Sequence, residues 1–171
     1  FSKTAIQVCE GQQWDMDFEM QKNVNLVEYM KMIEYKTAVL MAASLQIGAI
    51  TAGASNKDQA HIYEFGLNMG IGFQLKDDLL DVFGNPEAFG KQVGGDIMAN
   101  KKTFLYLKAL QLADDSTKEK LQFYYMNNDK SKSKVNSVKS IFTKLHIQSH
   151  TIDLMKVHYT KAIEHLDAIR S

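Results

Sequence analysis

Helix breakers are scarce in this sequence, and so is one kind of cation. It holds a single proline, Pro86, and 10 glycines in 171 residues, which excludes a many-turned sheet and points to long helices. A lone Cys9 excludes an internal disulfide framework and predicts a reducing compartment, the cytoplasm. Arg170 is the only arginine among 20 cations, so a phosphate site built on arginine forks is not available within these residues. Net charge is absent too: Lys plus Arg balances Asp plus Glu at 20 each, which excludes a general attraction to nucleic acid or membrane. The chain opens on Phe1, without an initiating Met or a signal-peptide pattern, and reads as a piece of a longer protein. Its length suits one domain with a real core.

The longest uncharged run, Thr37 to Asn56, has the length of a bilayer span but not the content. Only Val39, Leu40, Met41, Leu45, Ile47 and Ile50 in it are large and apolar. It reads as a buried helix of a water-soluble fold ahead of a half-buried or interfacial one, and no transmembrane segment is expected.

What the sequence does contain is helical periodicity. Asn25 is expected to cap a helix from Leu26, with Glu28 closing a capping box and Tyr29, Met30 and Ile33 as its apolar stripe. That helix runs through Lys36 and Thr37 to near Gly53. Asn56, with Gln59 three residues on, signals a second start, and the pattern continues to Phe83, about 40 Å of helix. Gly84 to Asn100 gathers four glycines and the proline and reads as a loop. Further helices are expected at roughly 101–112, 116–126, 134–147 and 150–169, with a polar link at Asn127 to Ser133. No alternating strand and no internal repeat is evident, so the fold class is all-α, a helical bundle.

The sharpest feature lies near the end of the second helix. At about 100° per residue, Asp77, Asp78 and Asp81 share one flank, with Gln74 between them one turn earlier and Gly70 and Gly66 further back. Carboxylates about 6 Å apart repel by about 0.7 kcal/mol per pair in water, and by several times that in a cleft, unless a cation sits among them. Oxygen ligands without a nearby His or Cys suit Mg²⁺, held by one or two carboxylates plus phosphate oxygens. The alternative is a solvated acidic stripe. Leu75, Leu79, Leu80, Val82 and Phe83 around the acids argue instead for a packed helix.

Behind the acids come Gly90-Lys91-Gln92-Val93-Gly94-Gly95-Asp96-Ile97 and Asn100-Lys101-Lys102-Thr103. Glycines on both sides of Lys91 let backbone N–H groups and an ammonium approach a phosphate, although the GxxxxGK[ST] loop is absent. Lys36 and Thr37 interrupt an Ala-rich helix, and a buried lysine should face an anion. Acids for Mg²⁺ and isolated lysines for the same ligand make a diphosphate the natural occupant.

The segments Gly11-Gln12-Gln13-Trp14-Asp15, Tyr35-Lys36-Thr37-Ala38, Gly72 to Asp81, Gly90-Lys91 to Asp96 and Asn100 to Thr103 occur in that order. Over about residues 5–110 the chain resembles the trans-prenyl diphosphate synthases, the polyprenyl synthetase family that includes farnesyl and geranylgeranyl diphosphate synthases. The later helices follow the family's tail less specifically. The resemblance implies a helical bundle of the isoprenoid synthase type with only its C-terminal part present, residues 1–171 being part of a single domain. It also implies a Mg²⁺-dependent head-to-tail condensation. An allylic diphosphate ionises, isopentenyl diphosphate attacks the allylic cation, and a proton is lost.

By the same resemblance, Asp77, Asp78 and Asp81 hold Mg²⁺ against the allylic diphosphate. Lys36, Lys91 and Lys101 contact that diphosphate and Gln12 belongs to the substrate site. Thr37 and Gln74 stand near the developing carbocation, so Lys36, Thr37, Gln74 and Lys91 form the catalytic set. Gln12, Asp15 and Asp96 surround the metal cluster. In the family the first aspartate-rich motif and the isopentenyl diphosphate site lie upstream of anything here, so residues 1–171 alone are expected to be inactive. The family is usually homodimeric, and Ile6 to Phe18 matches a helix near its subunit contact. The competing class is a catalytically silent prenyl-synthase-like subunit that modulates a partner; it usually loses its acids or lysines, which are intact here.

Other features carry less. His146 and His150 lack a third ligand and read as surface histidines. Lys130, Lys132 and Lys134 read as a solvated link rather than a nucleic-acid contact. Gly66-x-x-x-Gly70 fits helix contact or a ligand groove equally. Trp14, Tyr124, Tyr125 and the methionines read as packing, and Cys9 has no base near it in sequence.

Overall fold

Capping residues set where the helices begin. Asn25 Oδ1 accepts the Glu28 N–H at 3.0 Å and Glu28 Oε2 accepts the Asn25 N–H at 2.8 Å. This reciprocal box starts α2 (Leu26–Ile33), which follows α1 (Ser2–Met20). The structure is a computed structural model and describes residues 1–21, 23–85 and 93–169. Pro86, Gly90 and Lys91 of the expected loop, and Arg170, lie outside the described residues.

Residues 26–53 do not form one regular helix. A π-helical turn, Glu34–Ala38, separates α2 from α3 (Val39–Thr51), and Gly53, at φ +74°, follows the end of α3. Such widened turns are frequent at functional sites, and this one carries Lys36 and Thr37. The long helix α4 (Asn56–Phe83) is capped one residue earlier than expected: Ser55 Oγ, not Asn56, accepts the Asp58 N–H at 3.1 Å.

After Gly94, at φ +89°, come the single turn α5 (Gly95–Met98) and then α6 (Phe104–Leu112), α7 (Asp115–Met126), α8 (Lys132–Lys144) and α9 (Ile147–Asp167). Asp114 and Ser131 cap α7 and α8 by accepting the N–H groups of Thr117 at 2.7 Å and Lys134 at 3.2 Å. Several boundaries differ from expectation: Gly95–Met98 is a helical turn inside the expected loop, and α8 starts at Lys132 within the expected polar link. Residues 101–103 are not helical, because Asn100 takes φ +56° and Thr103 is extended. The junction before the last helix falls at Leu145 and His146, where His146 has φ +53°, rather than at Gln148 and Ser149. Among the described residues there is no strand.

The chain divides into two compact units. The first takes residues 1–17, 30–74 and 153–169, with Ile33, Ala38, Val39, Ala42, Ile71 and Ala162 in its core. A Cβ on Gly66 would lie 2.8 Å from Ala42 Cα, and one on Gly70 would lie 2.5 Å from Ala38 Cα. The Gly66-x-x-x-Gly70 pattern therefore serves close backbone contact of α4 with α3 and the π turn. His61 and His165 approach at 3.1 Å and His158 Nδ1 lies 2.9 Å from Asn68 Oδ1, joining α9 to α4. The reading of Thr37 to Asn56 as a buried helix is corrected. Only one side of α3 is covered, through Val39, Ala42 and Ala43, while Leu40, Ile47 and Ile50 are about half exposed. No helix among the described residues is long and apolar enough to cross a membrane.

The second unit takes residues 18–29 and 75–152, less the undescribed positions, around Leu75, Val82, Ile97, Leu105, Leu121 and Phe142. In it α8 packs against α5, α6 and α7, and the rings of Tyr106 and Tyr125 stack at 3.8 Å. Lys134 belongs to this core, which corrects its reading as part of a solvated link. It is 1% exposed, and its ammonium donates to Asn100 Oδ1 at 2.5 Å and to the Asn127 carbonyl at 3.4 Å. Those acceptors are what make burial of the charge tolerable.

Candidate functional site

The first unit holds Gln12, Asp15, Lys36, Thr37 and Gln74. A Cβ on Gly11 would lie 2.3 Å from the Lys36 backbone nitrogen, so glycine lets the α1 backbone touch the π turn. That contact brings Asp15, one turn further along α1, to Lys36, whose Nζ donates to Asp15 Oδ2 at 2.5 Å. Both side chains are partly exposed, at 30% and 24%. The anion expected at Lys36 is thus supplied from α1. Beside the pair, Trp14 stacks on Tyr35 with ring centroids 5.1 Å apart. Thr37 Oγ1 donates to Gln74 Oε1 at 3.0 Å. The threonine proton is thereby committed, and the lone pairs of its oxygen become the feature it presents. Gln12 is exposed on α1.

The second unit holds Asp77, Asp78, Asp81, Asp96 and Lys101. The three acids of α4 occupy three environments. Asp77 is exposed. Asp78 is 5% exposed and accepts a hydrogen bond from the Tyr29 hydroxyl of α2. Asp81 is half-buried, and its Oδ2 accepts the Asp96 N–H at 3.0 Å, at the start of α5. Burial raises the Asp81 carboxyl above the ordinary range, while the Asp96 and Gly95 N–H groups pull it back. Asp96 in turn pairs with Lys101 Nζ at 3.1 Å. The neighbouring Lys102 turns elsewhere and donates to the Phe18 carbonyl at 2.5 Å and the Glu19 carbonyl at 3.3 Å, at the end of α1. Burial lowers its ammonium below the usual lysine range.

Tyr29 was expected only as part of an apolar stripe. Its phenol is raised well above the ordinary value, first by burial and then by the Asp78 charge. The signal in the sequence is slight: a hydroxyl-bearing aromatic where Phe or Leu would pack as well. Lys91 lies outside the described residues.

Among the described residues no three His, Cys, Asp or Glu side chains converge as a self-sufficient metal cage. An all-oxygen set with one open carboxylate nevertheless fits Mg²⁺, which takes one or two carboxylates and completes its octahedron with phosphate oxygens and water. The donor set does not suit zinc.

Residues 1–143 match the polyprenyl synthetase family. A geranylgeranyl diphosphate synthase of Sulfolobus acidocaldarius is 36% identical over 171 residues, 100% of this chain and 52% of that protein. Another, from Methanosarcina mazei, is 46% identical over 110 residues, 64% of this chain and 34% of that protein. A crystal structure of a geranylgeranyl pyrophosphate synthase superposes with a TM-score of 0.91 at 42% identity, over 99% of this chain and 54% of that one. The chain spans about half the length of these relatives, or less. With one family matching most of the chain and the same all-α fold recurring in solved relatives, this chain belongs to the polyprenyl synthetase family.

Proposed function

We propose that the intact protein condenses isopentenyl diphosphate with an allylic diphosphate, head to tail, giving a longer trans-polyprenyl diphosphate. In this reading the present chain supplies the groups on which the allylic diphosphate ionises, and the protein acts as a homodimer. The observation that carries the reading is the ordering of charge at the end of α4. One carboxylate, Asp77, is open to solvent, beside two that are anchored by Tyr29 and by the start of α5.

Asp77, with Asp78 and Asp81, would hold Mg²⁺, which when bound neutralises charge on the departing diphosphate. Lys36 and Lys101, together with Lys91, are assigned to binding the allylic diphosphate. Asp15 and Asp96 hold the first two of these ammonium groups in place before the ligand arrives, and preorganised charge of this kind stabilises a leaving group most strongly. Ionisation breaks the allylic C–O bond, and both electrons leave with the diphosphate. The Thr37 oxygen, its proton committed to Gln74, keeps lone pairs with which it would stabilise the carbocation. The alkene of isopentenyl diphosphate then forms the new C–C bond, and loss of a proton restores the double bond. Gln12 is assigned to the substrate site. Residues 1–171 alone are expected to give no measurable turnover, since the sequence carries only one such acidic motif.

The test is Asp77→Ala in the intact protein. Turnover should fall by at least about 10²-fold, the scale on which preorganised charge acts. The melting temperature should hardly move, because the side chain is exposed. Normal turnover in the variant overturns the reading.

A further inference from the structure

The geometry points to Tyr29 as a positioning residue for Asp78, and through Asp78 for the proposed diphosphate site, on which the inference rests. Tyr29 is 2% exposed and is the largest of the fully buried side chains among the described residues. Its hydroxyl hydrogen goes to Asp78 Oδ2.

The consequence is directional. A carboxylate only accepts, so the phenol's single hydrogen goes to Asp78. Also at the end of α4, Asp81 holds the Asp96 N–H and Asp96 holds the Lys101 ammonium. The acidic end of α4 is therefore tied at two points, at Asp78 by Tyr29 and at Asp81 by the start of α5. Buried polar networks that are satisfied in this way act as rigid pieces. A phenylalanine would fill the same volume but would cut one of the two ties.

The experiment uses the intact protein, and follows thermal unfolding at fixed inorganic pyrophosphate while Mg²⁺ is titrated. Tyr29→Phe should raise the Mg²⁺ concentration at half-maximal protection by about tenfold, the low end for a residue that orients a metal ligand. Val138→Ala, a 0%-exposed core position in the same unit, is the structural control. It should lower the melting temperature and leave that Mg²⁺ midpoint unchanged. If Tyr29→Phe behaves like the control, Tyr29 is structural and the inference fails alone. If wild type shows no protection by Mg²⁺ and pyrophosphate, the proposed function fails and takes the inference with it.

Should Tyr29→Phe not fold, wild type carries the test. The shielded Tyr29 hydroxyl proton should give a slowly exchanging, downfield NMR resonance that shifts when Mg²⁺ and pyrophosphate bind. An unmoved resonance in a protein that binds both contradicts the inference.

Discussion

At Lys36 a single ammonium meets a single carboxylate at 2.5 Å, whereas at the end of α4 three carboxylates are distributed over three environments. The first region is made by backbone geometry. The π turn carries Lys36 and Thr37, and Gly11 lets α1 come close enough for Asp15 to reach the ammonium. The second region is made by side-chain anchors. Tyr29 fixes Asp78 and the start of α5 holds Asp81, while Asp77 is left facing solvent. The difference teaches that neighbouring residues of one motif need not play the same part. Asp77 and Asp78, or Lys101 and Lys102, are adjacent in sequence and opposite in surroundings.

The largest effect that would break this comparison is on activity. Lys36→Met in the intact protein keeps the length and packing of the side chain and removes its charge. Turnover should drop by about 10²-fold, comparable to the loss of one preorganised donor. A variant that turns over normally would make the Asp15–Lys36 pair merely structural.

Next comes the backbone contact itself. Gly11→Ala forces a Cβ to 2.3 Å from the Lys36 nitrogen, against main chain that cannot yield cheaply. Denaturant unfolding should show a loss of about 1–3 kcal/mol, the range for overpacking. The smallest effect has the opposite sign. A Cβ on Gly72, in the same unit, meets nothing within 4 Å. Gly72→Ala in α4 should therefore gain up to about 1 kcal/mol, the helical penalty of glycine relative to alanine.

The helices and the acidic stripe were legible because periodicity and capping are local. Asn25 and Glu28 spell the start of α2 in four residues, and the acids of α4 fall on one flank by arithmetic alone. What was not legible depends on partners distant in sequence. Nothing near Lys134 announces that Asn100, 34 residues away, would accept its proton and let it be buried. Tyr29 reads as one more apolar position until Asp78, 49 residues on, is brought to its hydroxyl. The π turn is hidden for another reason: Glu34–Ala38 has an ordinary helical composition, and its close contacts with Gly11 and Gly70 come from distant parts of the sequence. Cap positions shifted by a single residue, as at Ser55, because adjacent polar residues compete for the same N–H groups.

The central claim is that this chain carries a Mg²⁺-dependent diphosphate site whose open ligand is Asp77. Isothermal titration of inorganic pyrophosphate into the intact protein, with and without Mg²⁺, tests it most directly when wild type and Asp77→Asn are run side by side. Wild type should bind only with Mg²⁺ present, and Asp77→Asn should bind at least about tenfold more weakly, the scale of a perturbed metal site. Binding that is indifferent to Mg²⁺, or equally tight in the variant, would contradict the claim.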